Sequence, residues 1–260
     1  MPASKAPPRC GVRDRWQIHS RCPNVACMSP DPRDRAKKAA ADAAVALVED
    51  GMLLGLGSGS TAAMFIEALA RRLREENLRI TGVPTSRRTA AAARRLGIPL
   101  VDLTAAPDLA IDGADEIEEG SLSLIKGLGG ALLREKIVAA AAHRFVVIAD
   151  DAKLVPQLGA RAPLPVEVVG FGHEVTARRL TALGGAPVLR RGGDGAPFMT
   201  DGGNLVYDCA GFAPILDAVA LEGRLAATVG VVANGLFIGL AASAYVADAS
   251  GEVRILQRAD

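Results

Sequence analysis

A lysine before a glycine turn, followed by an acid, is the first feature of the sequence that could do chemistry. Lys126 precedes the segment 127–130 (GLGG), and Glu135 falls in the early turns of the helix predicted next. An ammonium group stabilises an oxygen that gains charge in a transition state. A glutamate in a partly dry pocket can have its pKa raised towards working pH, which suits a proton shuttle. Alternatively, the triplet 134–136 (REK) is an ordinary charged helix face.

Three carboxylates follow a short apolar stretch. Asp112, Asp115 and Glu116 lie in the motif DGADE, at the end of the predicted strand 108–112. Open α/β sheets bind ligands at the carboxyl ends of their strands. Acids placed there can hydrogen-bond sugar hydroxyls or move protons. A solvated acidic loop and a divalent-metal site are the competing interpretations, although none of the three histidines lies in this segment.

A loop of glycines and hydroxyl residues, 55–61 (GLGSGST), connects a predicted strand to a predicted helix. Its backbone can turn sharply and gather amide groups at the positive end of the helix dipole. We therefore expect it to hold an anion such as phosphate. It lacks the Gly-Lys-Ser/Thr ending of a P-loop, and Ser60 occupies the third glycine position of a dinucleotide fingerprint. The structural alternative is a tight strand–helix turn.

The cysteines show no metal-ligand spacing. Cys10, Cys22 and Cys27 form no C-x-x-C pair, only His19 lies near them, and Cys209 is far away. We therefore predict reduced thiols and no zinc site at these cysteines.

Charge and hydropathy exclude two classes of partner. The 260 residues carry a formal net charge of +1, which gives no global field for nucleic acid or an anionic membrane. No apolar run reaches the ~18–20 residues that span a bilayer. We predict a soluble, cytoplasmic protein without nucleic-acid or membrane partners. Residues 1–30 are rich in arginine and proline and are predicted to be a disordered N-terminal extension, with a transit peptide or an over-extended start as alternatives.

Strands and helices alternate from residue 34 to about residue 155. This pattern predicts a Rossmann-like α/β fold with a doubly wound, mainly parallel sheet. The predicted elements are helix 34–49, the strand before and the helix after 55–61, strand 79–83, helix 87–96, strands 100–103 and 108–112, helix 131–143 and strand 144–150.

The pattern changes after Gly159 to that of a smaller α+β domain. A strand at 164–169, a helix at 175–185, a long hairpin at 186–209, a helix at 212–225 and a strand at 230–234 follow one another. This order is typical of a split-βαβ, ferredoxin-like unit. We therefore predict a catalytic α/β domain from residues 31–160 plus 235–260 and a small α+β domain from residues 161–234. Two final strands around the turn 249–251 are expected to return to the first sheet.

Five motifs, in this order and spacing, resemble those of the ribose-5-phosphate isomerase A family. They are GLGSGSTA (55–62), DGADEI (112–117), IKGLGGALLREK (125–136), VIADDAKLV (147–155) and LPVEV (164–168). The resemblance covers about residues 34–258. The wider fold group also contains amino-sugar-phosphate isomerases, CoA transferases and sugar-responsive repressors.

The resemblance implies reversible conversion of D-ribose 5-phosphate and D-ribulose 5-phosphate through a cis-enediolate, without metal or organic cofactor. By position, Glu135 would be the base, while Asp112 and Lys126 would assist ring opening and polarise oxygens. Lys153 and Lys37 would help hold the phosphate, and the small domain would form a homodimer or homotetramer. The implied substrate-binding residues are Ser58, Gly59, Ser60, Thr61, Asp112, Gly113, Ala114, Asp115, Lys126, Gly127, Leu128, Gly129, Lys153 and Lys37.

Two departures from the family pattern and two other functions need testing. Ser58 stands where threonine is often found, and Leu128 interrupts an often longer glycine run. A sugar-phosphate sensor of the repressor type would need a preceding winged helix, for which residues 1–30 are too short and too rich in proline. The other alternative is isomerase or transferase action on an amino sugar phosphate or a CoA thioester. The motif DGADE argues against it, but only because the motif resembles that of the ribose-5-phosphate isomerase A family.

Overall fold

The computed structural model describes residues 31–258, which form six α-helices and fourteen strands in three sheets. The prediction for residues 1–30 lies outside this range. In chain order the elements are α1 (Pro32–Val45), β1 (Leu53–Leu56), α2 (Ser60–Glu76), β2 (Thr81–Pro84), α3 (Arg87–Arg95), β3 (Leu109–Asp112), β4 (Glu116–Glu118), β5 (Leu124–Ile125), α4 (Leu132–Ala141), β6 (Phe145–Asp150), a 3₁₀ turn (Asp151–Lys153), β7 (Leu154–Val155), β8 (Leu164–Val168), α5 (His173–Ala182), β9 (Pro187–Leu189), β10 (Leu205–Cys209), α6 (Ala218–Ala226), β11 (Val231–Asn234), β12 (Leu236–Phe237), β13 (Ala241–Ala247) and β14 (Val253–Gln257).

The largest sheet has the strand order β14-β13-β6-β3-β1-β2, and all its neighbours are parallel except the edge strand β14. Its five parallel strands follow the 2-1-3-4-5 order of doubly wound folds. In such a sheet the strand order reverses between β1 and β3, and ligands bind outside the carboxyl ends of the strands at that point. The predicted fold class and the return of the last two strands are confirmed.

Alternate residues of the buried strands pack against helices on opposite faces of this sheet. Ile111 and Ile148 belong to the core that includes α1, α2 and α3, whereas Ala110 and Val147 pack with α4. Strands buried on both faces are expected to be apolar throughout, because period-two alternation sends successive side chains to opposite sides. The helix α4 therefore lies against the sheet with its N-terminal turn near the carboxyl end of β3.

The small antiparallel sheet has the order β11-β8-β10-β9 and is covered by α5 and α6. The chain visits it as β8-α5-β9-β10-α6-β11, which is the predicted split-βαβ arrangement. A third sheet has the order β12-β5-β4-β7, and its strands come from both sides of the small-sheet segment in the chain. It brings Gly235, after the last small-sheet strand, next to Lys126, whose backbone N–H donates to the Gly235 carbonyl at 2.9 Å.

The predicted strand 100–103 is wrong. Leu100 forms a single parallel bridge with Gly82, after which the chain bends away and exposes Val101. The neighbouring strand β2 ends at Pro84, which has no backbone N–H to donate to a further rung. The ladder therefore cannot continue beyond one bridge.

Two helix boundaries also differ from the prediction. The helix expected at 34–49 ends at Val45, and its start is capped by Asp31, which accepts from the backbone N–H of Arg33. The helix expected at 212–225 begins only at Ala218, where Asp217 caps it by accepting from the Ala220 N–H. Within residues 31–258 no helix combines the length and apolar character needed to cross a bilayer.

Candidate active site

Three charged side chains meet in the interior at the carboxyl end of β3. Lys126 Nζ lies 3.0 Å from Asp112 Oδ2 and 3.3 Å from Glu135 Oε2, and it donates a hydrogen bond to the Gly113 carbonyl at 2.5 Å. Asp112 is the last residue of β3, Lys126 follows β5, and Glu135 lies in the first turn of α4. All three are at most 5% exposed. The three residues that the sequence predicted to be catalytic thus form one buried cluster.

Burial and the charges of the neighbouring groups shift the pKa values of all three residues. Burial raises the pKa of Glu135 to about 8, with Lys126 opposing the rise and the negative charge of Asp112 adding to it. Burial also raises the pKa of Asp112, against the effect of Lys126. For Lys126, burial favours the neutral form, but Asp112 and Glu135 outweigh it and raise its pKa. A carboxyl group with a pKa near neutrality can both accept and return a proton.

Glu135 has one oxygen that is available for chemistry. Its Oε2 is buried and has no hydrogen-bond partner among the described residues, although the Lys126 ammonium is near. An unsatisfied buried polar atom is costly, and in native proteins such atoms occur where a function needs them. Glu135 also lines the pocket described below.

The backbone of the first glycine loop holds Asp112 in place. Asp112 Oδ1 accepts from the N–H groups of Ser58 at 2.9 Å and Gly113 at 2.7 Å. Gly57 packs so closely on Asp112 that a Cβ atom there would overlap the carboxylate and the backbone of Asp112. Only glycine fits this contact, which explains its place in the loop.

The Ser58 hydroxyl lies below the loop, in a cluster of four hydroxyl groups. Ser58 Oγ is within 2.8 Å of Thr85 Oγ1 and Ser86 Oγ, and 3.0 Å from Thr89 Oγ1. Thr89 Oγ1 in turn donates to the Gly57 carbonyl at 2.9 Å. Because a serine hydroxyl completes this network, the exchange of threonine for serine at position 58 preserves the support of the loop.

A pocket opens above the cluster at the switch point of the large sheet. It brings together almost the whole predicted binding set, and its lining consists of Lys37, Ser58, Gly59, Ser60, Thr61, Gly113, Ala114, Asp115, Lys126, Gly127, Gly129, Glu135 and Lys153. Asp112 lies beneath this lining. The lining includes positive groups: the side chains of Lys37 and Lys153, and the N-terminal turn of α2 with Ser60 and Thr61.

Leu128 is placed differently from the other predicted binding residues. Its side chain is 43% exposed, and its backbone N–H donates to Asp115 Oδ2 at 2.9 Å. Asp115 therefore fixes the second glycine loop as well as facing the pocket. The hydrogen bond to Asp115 uses the backbone of Leu128, so it does not depend on the leucine side chain.

The third acid of DGADE is separated from the other two. Glu116 is fully buried, and its carboxylate accepts from the backbone N–H groups of Gly159, Arg161 and Ala162. It ties β4 to the segment that leads into the small sheet. Among residues 31–258 no three His, Cys, Asp or Glu side chains are placed to hold a metal ion.

A larger cavity, of about 430 Å³, contains none of the predicted site residues. Its lining includes three arginines, Arg87, Arg94 and Arg134, together with Asp102 and several apolar residues. Of the titratable pair at the start of α4, Arg134 faces this cavity and Glu135 faces the smaller pocket. The acid–base cluster therefore belongs to the smaller pocket.

Sequence reasoning missed the residues that support the site from a distance. Thr85 and Ser86 follow β2, so their position at a strand's carboxyl end was a usable signal. Phe237, whose ring lies 5.5 Å from Lys126 Nζ, and Arg190, which bonds to the second glycine loop, carry no such local signal.

The fold and the site define a Rossmann-like α/β protein whose pocket lies beside a buried cluster of two carboxylates and an ammonium group. The model of the ribose 5-phosphate isomerase A (phosphoriboisomerase A) family matches residues 81–251. Ribose-5-phosphate isomerase A of Roseiflexus sp. (strain RS-1) is 57% identical over 222 residues, covering 84% of this chain and 94% of that protein. The protein of that name from Synechococcus sp. (strain JA-3-3Ab) is 54% identical over 220 residues, covering 84% and 95%.

Two solved structures extend the comparison to three dimensions. Ribose 5-phosphate isomerase A from Methanocaldococcus jannaschii superimposes with a TM-score of 0.82 at 45% identity, covering 85% of this chain and 98% of that chain. A D-ribose-5-phosphate isomerase in complex with phospho-erythronic acid gives 0.83 at 37% identity, covering 87% and 99%. The chain belongs to the ribose-5-phosphate isomerase A family.

Proposed function

We propose that this protein interconverts D-ribose 5-phosphate and D-ribulose 5-phosphate, an aldose–ketose isomerisation. The observation that carries the proposal is the buried cluster of Asp112, Lys126 and Glu135 beside a pocket whose lining also includes Lys37 and Lys153. The relative that is 37% identical was solved in complex with phospho-erythronic acid, which carries a phosphate group. A pocket of this type suits a short polyol with one anionic end.

Glu135 is the proposed proton carrier. Its carboxylate takes the proton from C2 of the open-chain aldose, and the electron pair of that C–H bond becomes the C1–C2 double bond of a cis-enediolate. The same carboxyl group returns the proton to C1, while a proton moves from O2 to O1 and leaves the ketone at C2. The pKa of about 8 allows Glu135 to act in both directions near neutral pH.

Lys126 and Asp112 are the proposed partners for the oxygen atoms. The Lys126 ammonium lies within 3.3 Å of the base, so it can stabilise the charge that develops on the enediolate oxygens. Asp112, whose pKa is raised by burial, is the proposed group for proton transfer during ring opening. Asp115 is proposed to bind sugar hydroxyls.

The phosphate is proposed to bind beside the lysines of the lining and the N-terminus of α2. Lys37 and Lys153 contribute charge, and Ser60 and Thr61 contribute hydroxyl and backbone donors at the start of α2. These groups line the same pocket as Glu135. A phosphate anchored by them would therefore fix the position of C1 and C2 of the sugar relative to the base.

The division into a catalytic part (31–160 plus 235–260) and a small domain (161–234) that forms a homodimer or homotetramer is also a proposal. The small domain carries strongly exposed apolar side chains, among them Phe171 (95%) and Leu216 (82%). Apolar side chains this exposed would be buried if they lay in an interface between subunits. Light scattering of wild type and Phe171→Ser would test it. The free, buried Cys209 thiol suits a reducing compartment, and the proposed location is the cytoplasm.

An assay of the purified protein tests the proposed reaction. Ribulose 5-phosphate formation from ribose 5-phosphate should be rapid and unchanged by EDTA. Loss of activity in EDTA would refute the metal-free mechanism, and absence of activity with both sugar phosphates would refute the reaction itself.

A further inference from the structure

An arginine of the small domain reaches the second glycine loop of the pocket. Arg190 follows β9, and its Nη1 donates to the carbonyl oxygens of Gly127 at 2.9 Å and Leu128 at 3.1 Å. Gly127 and Gly129, on either side of Leu128, both line the pocket. The loop is thus bonded on its outer side by a residue more than sixty positions further along the chain.

The guanidinium group of Arg190 is itself firmly held. Its Nε donates to Asp208 Oδ2 at 2.9 Å, and its Nη2 pairs with the other oxygen of the same carboxylate. Its Cζ lies 5.7 Å from the centre of the Phe198 ring, and the side chain is only 12% exposed. A bidentate, stacked guanidinium is pre-oriented, so little entropy is lost when its remaining donor binds the loop.

The loop has little rigidity of its own. Gly127 has φ +112°, and glycine segments lose more conformational entropy on ordering than other residues do. The loop's remaining bonds are one internal contact, from the Gly130 N–H to the Gly127 carbonyl at 2.9 Å, and the Leu128–Asp115 bond. Phe198 packs against Gly130 so closely that a Cβ atom at Gly130 would overlap its ring.

We propose that Arg190 is a positioning residue for substrate binding, acting through the backbone of residues 127–129. The proposal rests on the proposed isomerase function. With Arg190 in place the loop is already in its binding conformation, whereas without it the substrate must order the loop at the expense of affinity. Arg190 makes no contact with Asp112, Lys126 or Glu135 and reaches the pocket lining only through the Gly127 carbonyl, so the chemical step should be affected much less than binding.

The test compares Arg190→Gln and Arg190→Lys with wild type, using Arg191→Gln as the matched control. Arg191 is the next residue, is exposed, and bonds only within its own hairpin, to the Gly195 carbonyl at 2.8 Å. For Arg190→Gln we expect KM for ribose 5-phosphate to rise about tenfold, equivalent to roughly one to two lost hydrogen bonds, with kcat within about threefold. The KM of Arg190→Lys should lie between those of wild type and Arg190→Gln, because an ammonium group cannot bind Asp208 and both carbonyl oxygens at once.

Hydrogen–deuterium exchange supplies a readout that does not depend on turnover. Peptides covering residues 126–131 should exchange about tenfold faster in Arg190→Gln, with peptides from α2 unchanged. If wild type is inactive, the proposed function fails while this measurement still tests the loop. Unchanged KM together with unchanged exchange in the folded variant would overturn the proposal, as would a lower melting temperature with unchanged KM. If Arg190→Gln does not fold, Arg190→Lys carries both measurements.

Discussion

Replacing Glu135 by glutamine should abolish most activity and, at alkaline pH, make the protein more stable. The pKa of Glu135 is raised to about 8 by burial, from 4.5 for a free side chain. The folded protein therefore keeps this proton at pH values where the unfolded chain has released it. The stability that results is complete below about pH 4.5 and is lost as pH rises through about 8. Glutamine has nearly the same shape and does not titrate.

The size of the effect follows from the pKa difference. Between three and four pKa units, at about 1.4 kcal/mol each, set an upper limit of roughly 4–5 kcal/mol on the relative gain of Glu135→Gln at pH 9. We expect at least about 1 kcal/mol, or about 2–4 °C in melting temperature for a domain of this size. At pH 5 the two proteins should melt nearly together, because Glu135 is then largely protonated in the native state.

Thermal unfolding from pH 5 to pH 9 and the isomerase assay together measure both effects. Turnover of Glu135→Gln should fall at least ~100-fold, as expected for loss of a general acid–base group. Glu119→Gln, which changes an exposed carboxyl group, is the matched control and should alter neither measurement. If the difference in melting temperature between wild type and Glu135→Gln stays the same from pH 5 to pH 9, the buried site does not destabilise the ionised form of Glu135.

Three further predictions concern the pH dependence of activity, the contact between Gly57 and Asp112, and the proposed phosphate site. The kcat/KM of wild type should rise about tenfold per pH unit up to about pH 8 and then level off, since Glu135 must be ionised to take a proton; a plateau already at pH 6 would contradict this. Gly57→Ala should lower kcat at least tenfold by displacing Asp112, whereas Gly193→Ala, in open space on the small domain, should not; steady-state kinetics of both decide the point. Lys153→Gln should raise KM about tenfold with kcat nearly unchanged and reduce its dependence on salt, and a matching fall in kcat would argue against a phosphate contact.

Much of the fold and of the central cluster was predictable because its signals are local. Strands buried on both faces give continuous apolar runs, and the glycine turns between them mark where ligands bind. Asp112, Lys126 and Glu135 lie within 24 consecutive positions, each next to a recognisable strand end or helix start. Their roles came from resemblance to the family, since spacing alone left a charged helix face as an alternative.

What the sequence did not reveal depends on contacts between distant segments. The strand expected at 100–103 failed because Pro84, on a neighbouring strand, cannot donate the next hydrogen bond. The Ser58 hydroxyl was expected in the pocket but also completes a network with Thr89, which only the folded chain brings near. The contact of Arg190 with the second glycine loop could not be predicted for the same reason, because Gly127 and Leu128 are more than sixty positions away in the chain.

The pairing of Lys126 with Gly235 has a consequence for biosynthesis. All three residues of the cluster have been translated by position 135, yet the backbone beside Lys126 is bonded to a segment made about a hundred residues later. Phe237, next to that segment, supplies the ring beside the Lys126 ammonium. A nascent chain on the ribosome would therefore carry all three residues of the cluster for several seconds without β12, since translation adds about 5–20 residues per second. The complete site should therefore form only near the end of synthesis, once β12 has left the ribosome.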